Sequence, residues 1–162
     1  MQEEKTNVMR LLDQKKIPYL PHWYASPDGA VDGAVVAALL GKDAGTVFKT
    51  LVTQGSSRRY FVFVIPVLRE LDLKAAAKAA GEKSVAMIRQ AELLPLTGYV
   101  HGGCSPLGMK KQLATFLDQS AQNLPAVTVS AGRIGAQVEL PPDALCRLVR
   151  GRFAPVSRER TA

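Results

Sequence analysis

The sequence has few cysteines and histidines and no long hydrophobic run. Two cysteines and two histidines occur among 162 residues, without CxxC or HxxxH spacing, so we predict no dedicated metal site and no cofactor. Cys104 and Cys146 are expected to be free thiols in a reducing cytosol. No apolar stretch approaches the roughly 20 residues of a membrane span, and the charged start MQEEKTN lacks the apolar core of a secretory signal. We therefore expect a cytoplasmic protein with no membrane partner.

Internal repeats, low-complexity tracts and Pro/Ser linkers are also absent, so we predict a single domain over residues 1–162. With 47% hydrophobic and 22% charged residues, the composition is typical of a globular protein. The net charge of +7 would attract a polyanion, although the same excess can serve solubility alone. Part of it lies at about residues 152–162, which we interpret as a solvated basic tail.

Short apolar segments with strand and helix periodicities follow one another irregularly. Helices are predicted at 6–16, 32–40, 72–80, 89–94 and 141–149. Strands are predicted at 19–24, 47–53, 59–67, 85–87, 115–117, 127–130 and 137–140. Because βαβ alternation is not regular, we expect a mixed α/β fold (α+β type) in which a mixed sheet, curled into a barrel, is flanked by helices.

Lys49 lies in VFKTLVT, a predicted strand that is otherwise built of apolar residues and threonine. A lysine on an apolar face either extends along the surface to water or is held in a polar pocket. The pattern alone favours the first interpretation. In a cleft, the ammonium could instead hold a phosphate, a ribose hydroxyl or a carbonyl oxygen.

The segment from Gly98 to Gly108 contains four glycines and one proline. The adjacent Gly102 and Gly103 would let backbone N–H groups converge on one anionic oxygen, as in an oxyanion hole. Ser105 adds a hydroxyl, and Pro106 restricts the local backbone. An ordinary tight turn between strands gives the same pattern, so both interpretations remain open.

Lys110 and Lys111 directly follow this glycine-rich segment. Two lysines beside an anion-binding loop favour a surface that follows phosphate groups. Paired lysines are also common on solvated surfaces, so this interpretation depends on the loop.

Cys104 could act as a nucleophile with His101, three residues earlier, as its base. Sequence spacing does not place a base within hydrogen-bond reach of a thiol, and no third, orienting group is apparent. The hypothesis of a cysteine–histidine dyad is therefore not favoured.

Five stretches of the chain occur in a familiar order and spacing: KTNVMRLLDQKKIPY, VFKTLVT, LDLKAAAKAAG with the following KSVAM, TGYVHGGCSPLGMKKQL, and VSAGRIGAQVELPPDAL. Together they resemble the YbaK/EbsC family of aminoacyl-tRNA deacylases, which are related to the editing domain of many bacterial prolyl-tRNA synthetases. The five stretches cover nearly the whole chain, and the set is specific although no single fragment is. The resemblance implies a curled mixed sheet flanked by helices, with a cleft at its open face.

The resemblance also implies which residues carry catalysis. Lys49 matches the family's essential lysine, which reverses the interpretation from pattern alone. Tyr24 matches the tyrosine of an extended HxY stretch. The GGxSP substrate loop of the family is matched by GGCSP, which supplies Gly102, Gly103 and Ser105.

The same comparison of motifs implies a set of substrate-binding positions. Cys104 and Pro106 complete the loop, and because the position of Cys104 is often aliphatic in the family, its thiol is not expected to be required. Gln137 stands where close members with activity on cysteinyl-tRNA can carry an aspartate, so a carboxylate role is lost there. Lys110 and Lys111 complete the set.

The activity implied is the trans-editing removal of cysteine from Cys-tRNA(Pro), in which the substrate's own thiol attacks its carbonyl. The partner is then the aminoacylated end of tRNA, with prolyl-tRNA synthetase as a possible second partner. The alternatives are a deacylase for another small amino acid, such as Ala-tRNA(Pro), and a non-catalytic module that binds tRNA or a synthetase. An intact Lys49 and glycine loop favour catalysis.

Overall fold

The computed structural model describes residues 4–161, in which helices and strands are interleaved. The α-helices are α1 (Asn7–Gln14), α2 (Gly33–Leu39), α3 (Leu73–Ala80), α4 (Gln90–Thr97) and α5 (Pro142–Leu148). The strands are β1 (Leu20–Trp23), β2 (Phe48–Gly55), β3 (Tyr60–Pro66), β4 (Arg69–Leu71), β5 (Val85–Met87), β6 (Ala114–Asp118), β7 (Val127–Arg133), β8 (Ala136–Leu140), β9 (Arg152–Ala154) and β10 (Ser157–Glu159). Within this described part, every helix is too short or too polar to span a lipid bilayer.

Local capping explains where the helices begin and end. The hydroxyl of Thr6 accepts a hydrogen bond from the Met9 backbone N–H at 3.2 Å and so starts α1. Asp72 does the same for α3 through the N–H of Ala75, at 3.1 Å. Gly81 ends α3 in the left-handed conformation, with φ of 71°, which glycine adopts without a steric penalty.

The strands form a mixed sheet and two smaller antiparallel ones. In the five-stranded sheet, in the order β5-β2-β3-β6-β9, the β5–β2 and β2–β3 pairs are antiparallel and the β3–β6 and β6–β9 pairs are parallel. A three-stranded sheet has the order β1-β8-β7, and β10 pairs with β4. The predicted mixed α/β architecture is confirmed.

The sheets do not close into a barrel, unlike the sequence-based expectation. Among the described residues, the backbone pairing between the five-stranded and the three-stranded sheet is a single isolated parallel bridge, from Val47 immediately before β2 to Thr128 of β7. At its other end, β2 pairs with β5 only from Thr53 to Gly55. The middle of β2 is therefore a free sheet edge, and the space beside it is a cavity rather than a continuous ladder of hydrogen bonds.

Two hydrophobic layers pack on opposite faces of the five-stranded sheet. One face carries α3, whose Ala76 and Ala77 lie over Phe61, Phe63 and Phe116. On the other face, α1, α5, β7 and β8 bury a larger cluster, with Val8, Leu12, Val64, Val129, Val138 and Leu145 each no more than 1% exposed. Each such side chain contributes about 1.5–3 kcal/mol on burial, so these layers fix the scaffold around the free edge of β2.

The C-terminal segment is not the solvated tail that the sequence suggested. Arg152–Ala154 forms β9 and pairs with β6, while Ser157–Glu159 forms β10 and pairs with β4. Val156, between the two strands, is fully buried. One buried valine and two short pairings are enough to hold the segment on the sheet, although its composition is basic.

Candidate functional site

A cavity of about 480 Å³ opens beside the free edge of β2. This size falls within the usual range for small-molecule sites, about 300–1,000 Å³. Its walls come from β2, from the residues around α2, from the loop that contains Gly102, and from β7 and β8. Five residues predicted from sequence lie in this wall: Tyr24, Lys49, Gly102, Cys104 and Gln137.

Lys49 is half-buried in the cavity wall, opposite Ile65 of β3. Burial lowers the pKa of its ammonium, and the nearby Arg160 guanidinium lowers it further, whereas Asp32 and Glu70 act in the opposite direction. The lysine therefore does not lie along an open surface. It supplies a partly desolvated positive charge, which interacts more strongly with a ligand oxygen than a charge in bulk water would.

Gly102 brings the glycine loop into the wall in a way that only glycine permits. Its φ is 87°, and a Cβ at this position would lie 2.4 Å from the Cβ of Ala30. The tight contact with Ala30 and the left-handed backbone both depend on the missing side chain. The loop therefore approaches the cavity as bare backbone.

The other predicted loop residues lie outside the cavity wall, where they hold the loop in shape. The backbone N–H of Gly103 donates to the carbonyl of Val100 at 3.0 Å. Ser105 is fully buried, and its hydroxyl accepts a hydrogen bond from the N–H of Leu107 at 3.2 Å. Pro106 is also buried. The structure thus brings Gly102 and Cys104 of this loop to the cavity and sets Gly103, Ser105 and Pro106 behind them.

The thiol of Cys104 lines the cavity but is only 8% exposed. Burial raises its pKa to about 12, so the thiol stays protonated at neutral pH. His101 lines the same cavity from the exposed end of the loop. A protonated, buried thiol is a poor nucleophile, and the Cys104–His101 dyad has no support in this geometry.

Gln137 and Thr50 carry unusual polar groups in the cavity wall. Gln137 lies on β8 opposite His22 of β1 and is only 6% exposed. Its Oε1 and the hydroxyl oxygen of Thr50 are buried, and neither has a hydrogen-bond partner among the described residues. Buried polar groups in folded proteins are normally paired, so two unpaired groups in one cavity wall indicate where a polar ligand would bind.

Tyr24 closes the wall next to these groups, immediately after β1. Its backbone N–H donates to the carbonyl of Gly135 at 2.9 Å, which fixes the residue against the turn between β7 and β8. Tyr24 lines the cavity, as Gln137 and Ser130 do. The extended HxY stretch therefore contributes Tyr24 to the cavity wall, and the role of this tyrosine stays a prediction.

Lys110 and Lys111 do not line this cavity. The ammonium of Lys110 donates to the carbonyl of Pro95 at 3.2 Å and borders a separate hollow of about 260 Å³. Lys111 is exposed. The phosphate-following role of the pair stays a prediction.

Sequence reasoning missed Thr50, Ser130, Asp32 and Arg160. Thr50 and Ser130 carry only a weak signal, because each is one of several polar residues in its strand. Asp32 was recognised only as the start of a helix. Arg160 could not be found from the chain order, because pairing of β10 with β4 brings it to the site from the far end of the sequence.

Comparison with known proteins identifies the family of the chain. A family model described as the aminoacyl-tRNA editing domain matches residues 29–148. A protein of Enterococcus faecalis, provisionally named Cys-tRNA(Pro)/Cys-tRNA(Cys) deacylase EbsC, is 46% identical over 155 residues, which cover 96% of this chain and 94% of that protein.

Solved structures give the same fold. One, described as a hypothetical protein, superposes with a TM-score of 0.85 at 25% identity, over 94% of this chain and 100% of the other. Another, described as a candidate trans-editing enzyme for prolyl tRNA synthetase, gives 0.79 at 22% identity over 96% and 99%. The resemblance inferred from the five motifs is confirmed, and the chain belongs to the aminoacyl-tRNA editing domain family.

Proposed function

We propose that this protein is a trans-editing aminoacyl-tRNA deacylase that removes cysteine from Cys-tRNA(Pro). The observation that carries the proposal is the meeting of Lys49, Gly102 and Gln137 in one cavity beside the free edge of β2. A cation, a bare glycine backbone and an unpaired amide oxygen are suited to a small polar acyl group. Membership of the editing family and the Enterococcus relative support the same activity.

The ester that joins an amino acid to the terminal ribose is already activated, so no protein nucleophile is required. As the carbonyl carbon is attacked, negative charge develops on its oxygen. The ammonium of Lys49 and the backbone of the loop at Gly102 stabilise that charge in a partly desolvated site. Gly103, Ser105 and Pro106 contribute by holding the loop in its approach.

The thiol of the cysteinyl substrate supplies the nucleophile. Its sulfur forms a bond to the carbonyl carbon of the same residue, the bond from that carbon to the ribose oxygen breaks, and the thiol proton ends on the departing ribose hydroxyl. Water later opens the resulting cyclic thioester to free cysteine. The protein then contributes by positioning the substrate and by placing positive charge near the carbonyl oxygen. This division of roles fits the thiol of Cys104, which is buried and protonated and so does not act as a nucleophile itself.

The remaining residues orient the substrate. Gln137 and Thr50 pair with the polar groups of the aminoacyl moiety, and Tyr24 contacts the adenosine end. Lys110 and Lys111 contact phosphates further along the acceptor strand. Charged tRNA is the partner, prolyl-tRNA synthetase is the source of the mischarged species, and residues 1–162 act as one cytoplasmic domain.

A panel of charged tRNAs tests the proposal. The purified protein is incubated with Cys-tRNA(Pro), Cys-tRNA(Cys), Ala-tRNA(Pro) and Ser-tRNA(Pro), and the remaining ester is measured against the uncatalysed loss. Both cysteinyl esters should be cleaved at least about tenfold faster than the alanyl and seryl ones, because only cysteine carries a thiol. Faster cleavage of Ala-tRNA(Pro) would favour the alternative deacylase. Binding of tRNA without ester loss would favour a non-catalytic module.

A further inference from the structure

The C-terminal residues are held firmly enough to position a side chain at the cavity. The Oδ1 of Asp118 accepts hydrogen bonds from the backbone N–H groups of Val156 (3.1 Å) and Ser157 (3.0 Å). The backbone N–H of Thr161 donates to Glu70 at 2.9 Å. These bonds fix the chain on both sides of Arg160, the residue that follows β10.

The side chain of Arg160 lies at the mouth of the cavity. Its Nη2 donates to the carbonyl of Val67 at 3.1 Å and lies 4.0 Å from Oδ1 of Asp32. Val67 and Asp32 both line the cavity. The guanidinium is also close enough to Lys49 to lower the pKa of that lysine. Arg160 therefore adds a cation at the opening of the cavity to Lys49 and Arg89, which line its wall.

The guanidinium of Arg160 retains capacity for a ligand. Its side chain is 47% exposed, and an arginine carries five N–H donors in a planar fork. Its hydrogen bond to the Val67 carbonyl fixes the plane, and at 4.0 Å the contact with Asp32 is electrostatic. A guanidinium oriented in this way is suited to the two-point recognition of a phosphate group.

We propose that Arg160 binds a phosphodiester of the tRNA acceptor end while the ester lies at Lys49. The inference rests on the proposed function, because a nucleotide whose aminoacyl group fills the cavity must carry its phosphate out through the mouth. Asp32 has the opposite effect, since its carboxylate repels that phosphate and competes for Arg160. The segment that sequence analysis treated as a solvated tail is thus part of the substrate-binding surface.

The test compares Arg160→Ala with Arg152→Ala, on two substrates. Arg152 is exposed in β9, three strands from β2 and in the same terminal segment, so its removal makes the same change in net charge away from the cavity. The substrates are Cys-tRNA(Pro) and the cysteinyl ester of adenosine, which has no phosphate. Thermal unfolding of each variant verifies that the fold is retained.

Loss of Arg160 should lower kcat/KM on Cys-tRNA(Pro) about tenfold, mainly through KM, and change it less than about twofold on the adenosine ester. The slope of log affinity against log salt should fall by about 0.7–1. Asp32→Asn should lower KM for the tRNA. Equal losses on both substrates, or an Arg160→Ala variant that matches Arg152→Ala, would overturn the inference.

Binding of uncharged tRNA, measured in parallel, separates this inference from the proposed function. A wild-type protein that cleaves no ester would refute the deacylase assignment. Even then, Arg160→Ala should weaken tRNA binding relative to Arg152→Ala, and unchanged binding would refute the role of Arg160.

Discussion

The ammonium of Lys42 lies 2.7 Å from Oε1 of Glu139 and so connects the end of α2 to β8. The same carboxylate oxygen lies 2.7 Å from Nε2 of His22 on β1. Both α2 and β8 contribute to the cavity, since Gly33 and Val36 of α2 and Gln137 of β8 line it. Glu139 therefore stabilises the cavity wall from outside the group of residues that would touch substrate.

Glu139→Gln should destabilise the protein in a pH-dependent way. The hydrogen bond from Lys42 holds the pKa of Glu139 below its usual range, against the effect of burial and with a smaller contribution from His22. A lowered folded-state pKa means that the stabilisation is present above the unfolded value of about 4.3 and is lost as pH falls through the folded value.

Urea unfolding should show a deficit of about 1 kcal/mol for Glu139→Gln at pH 7 and a smaller deficit at pH 3. Asp28→Asn, at an exposed carboxylate, provides the control. A deficit that is equal at both pH values would contradict the ion-pair account.

Cys104→Ala should leave deacylation within about threefold of wild type, because the buried thiol, with its pKa near 12, does not act as a nucleophile. Cys146→Ala is the matched control for loss of a thiol. Single-turnover rates on Cys-tRNA(Pro) measure the effect. A folded Cys104→Ala protein with a rate about 10²-fold lower would require a covalent mechanism instead.

Gly102→Ala should reduce activity about 10²-fold, because the new methyl group would meet Ala30 and displace the loop from the cavity. Gly41→Ala is the control. It has a similarly positive φ of 67°, but nothing lies within 4 Å of its added Cβ, so it imposes backbone strain without a clash. Similar rates for the two variants would show that the loop contact does not matter.

Periodicity and capping residues predicted most elements of the fold, because those signals are local. Thr6, Asp72 and Gly81 mark helix ends in the sequence and do so in the structure. The strands β4, β9 and β10 were missed, since each has only three residues and forms through pairing with a distant partner. The prediction of a barrel was wrong for the same reason, because the pairing of two sheet edges depends on their separation in space, which the sequence does not reveal.

The site was predicted in part. Lys49 was assigned to a cavity by its resemblance to a family motif, since a lysine in an apolar strand does not by itself reveal which way it points. Gly103 and Ser105 belong to the same motif but serve the loop's own hydrogen bonds, a difference that adjacency in sequence cannot reveal. Arg160 lies 111 positions from Lys49 in sequence and reaches it only through β10.

Gln137→Leu should lower the deacylase activity without lowering the stability of the fold. Replacing a buried oxygen that has no partner with an apolar group should leave unfolding free energy unchanged or raise it by about 1 kcal/mol. If the amide pairs with substrate, kcat/KM on Cys-tRNA(Pro) should fall about tenfold, the value of one hydrogen bond. A variant that loses stability and activity together would instead assign Gln137 a structural role.

Replacing Lys49 is the most direct test of the central claim. Single-turnover deacylation of Cys-tRNA(Pro) is measured for wild type, Lys49→Ala and Lys78→Ala, the last at an exposed lysine of α3 outside the cavity wall. We expect Lys78→Ala to match wild type and Lys49→Ala to be slower by at least about 10²-fold, because a partly desolvated ammonium near the acyl oxygen is lost. A folded Lys49→Ala protein that cleaves the ester at the wild-type rate would contradict the account.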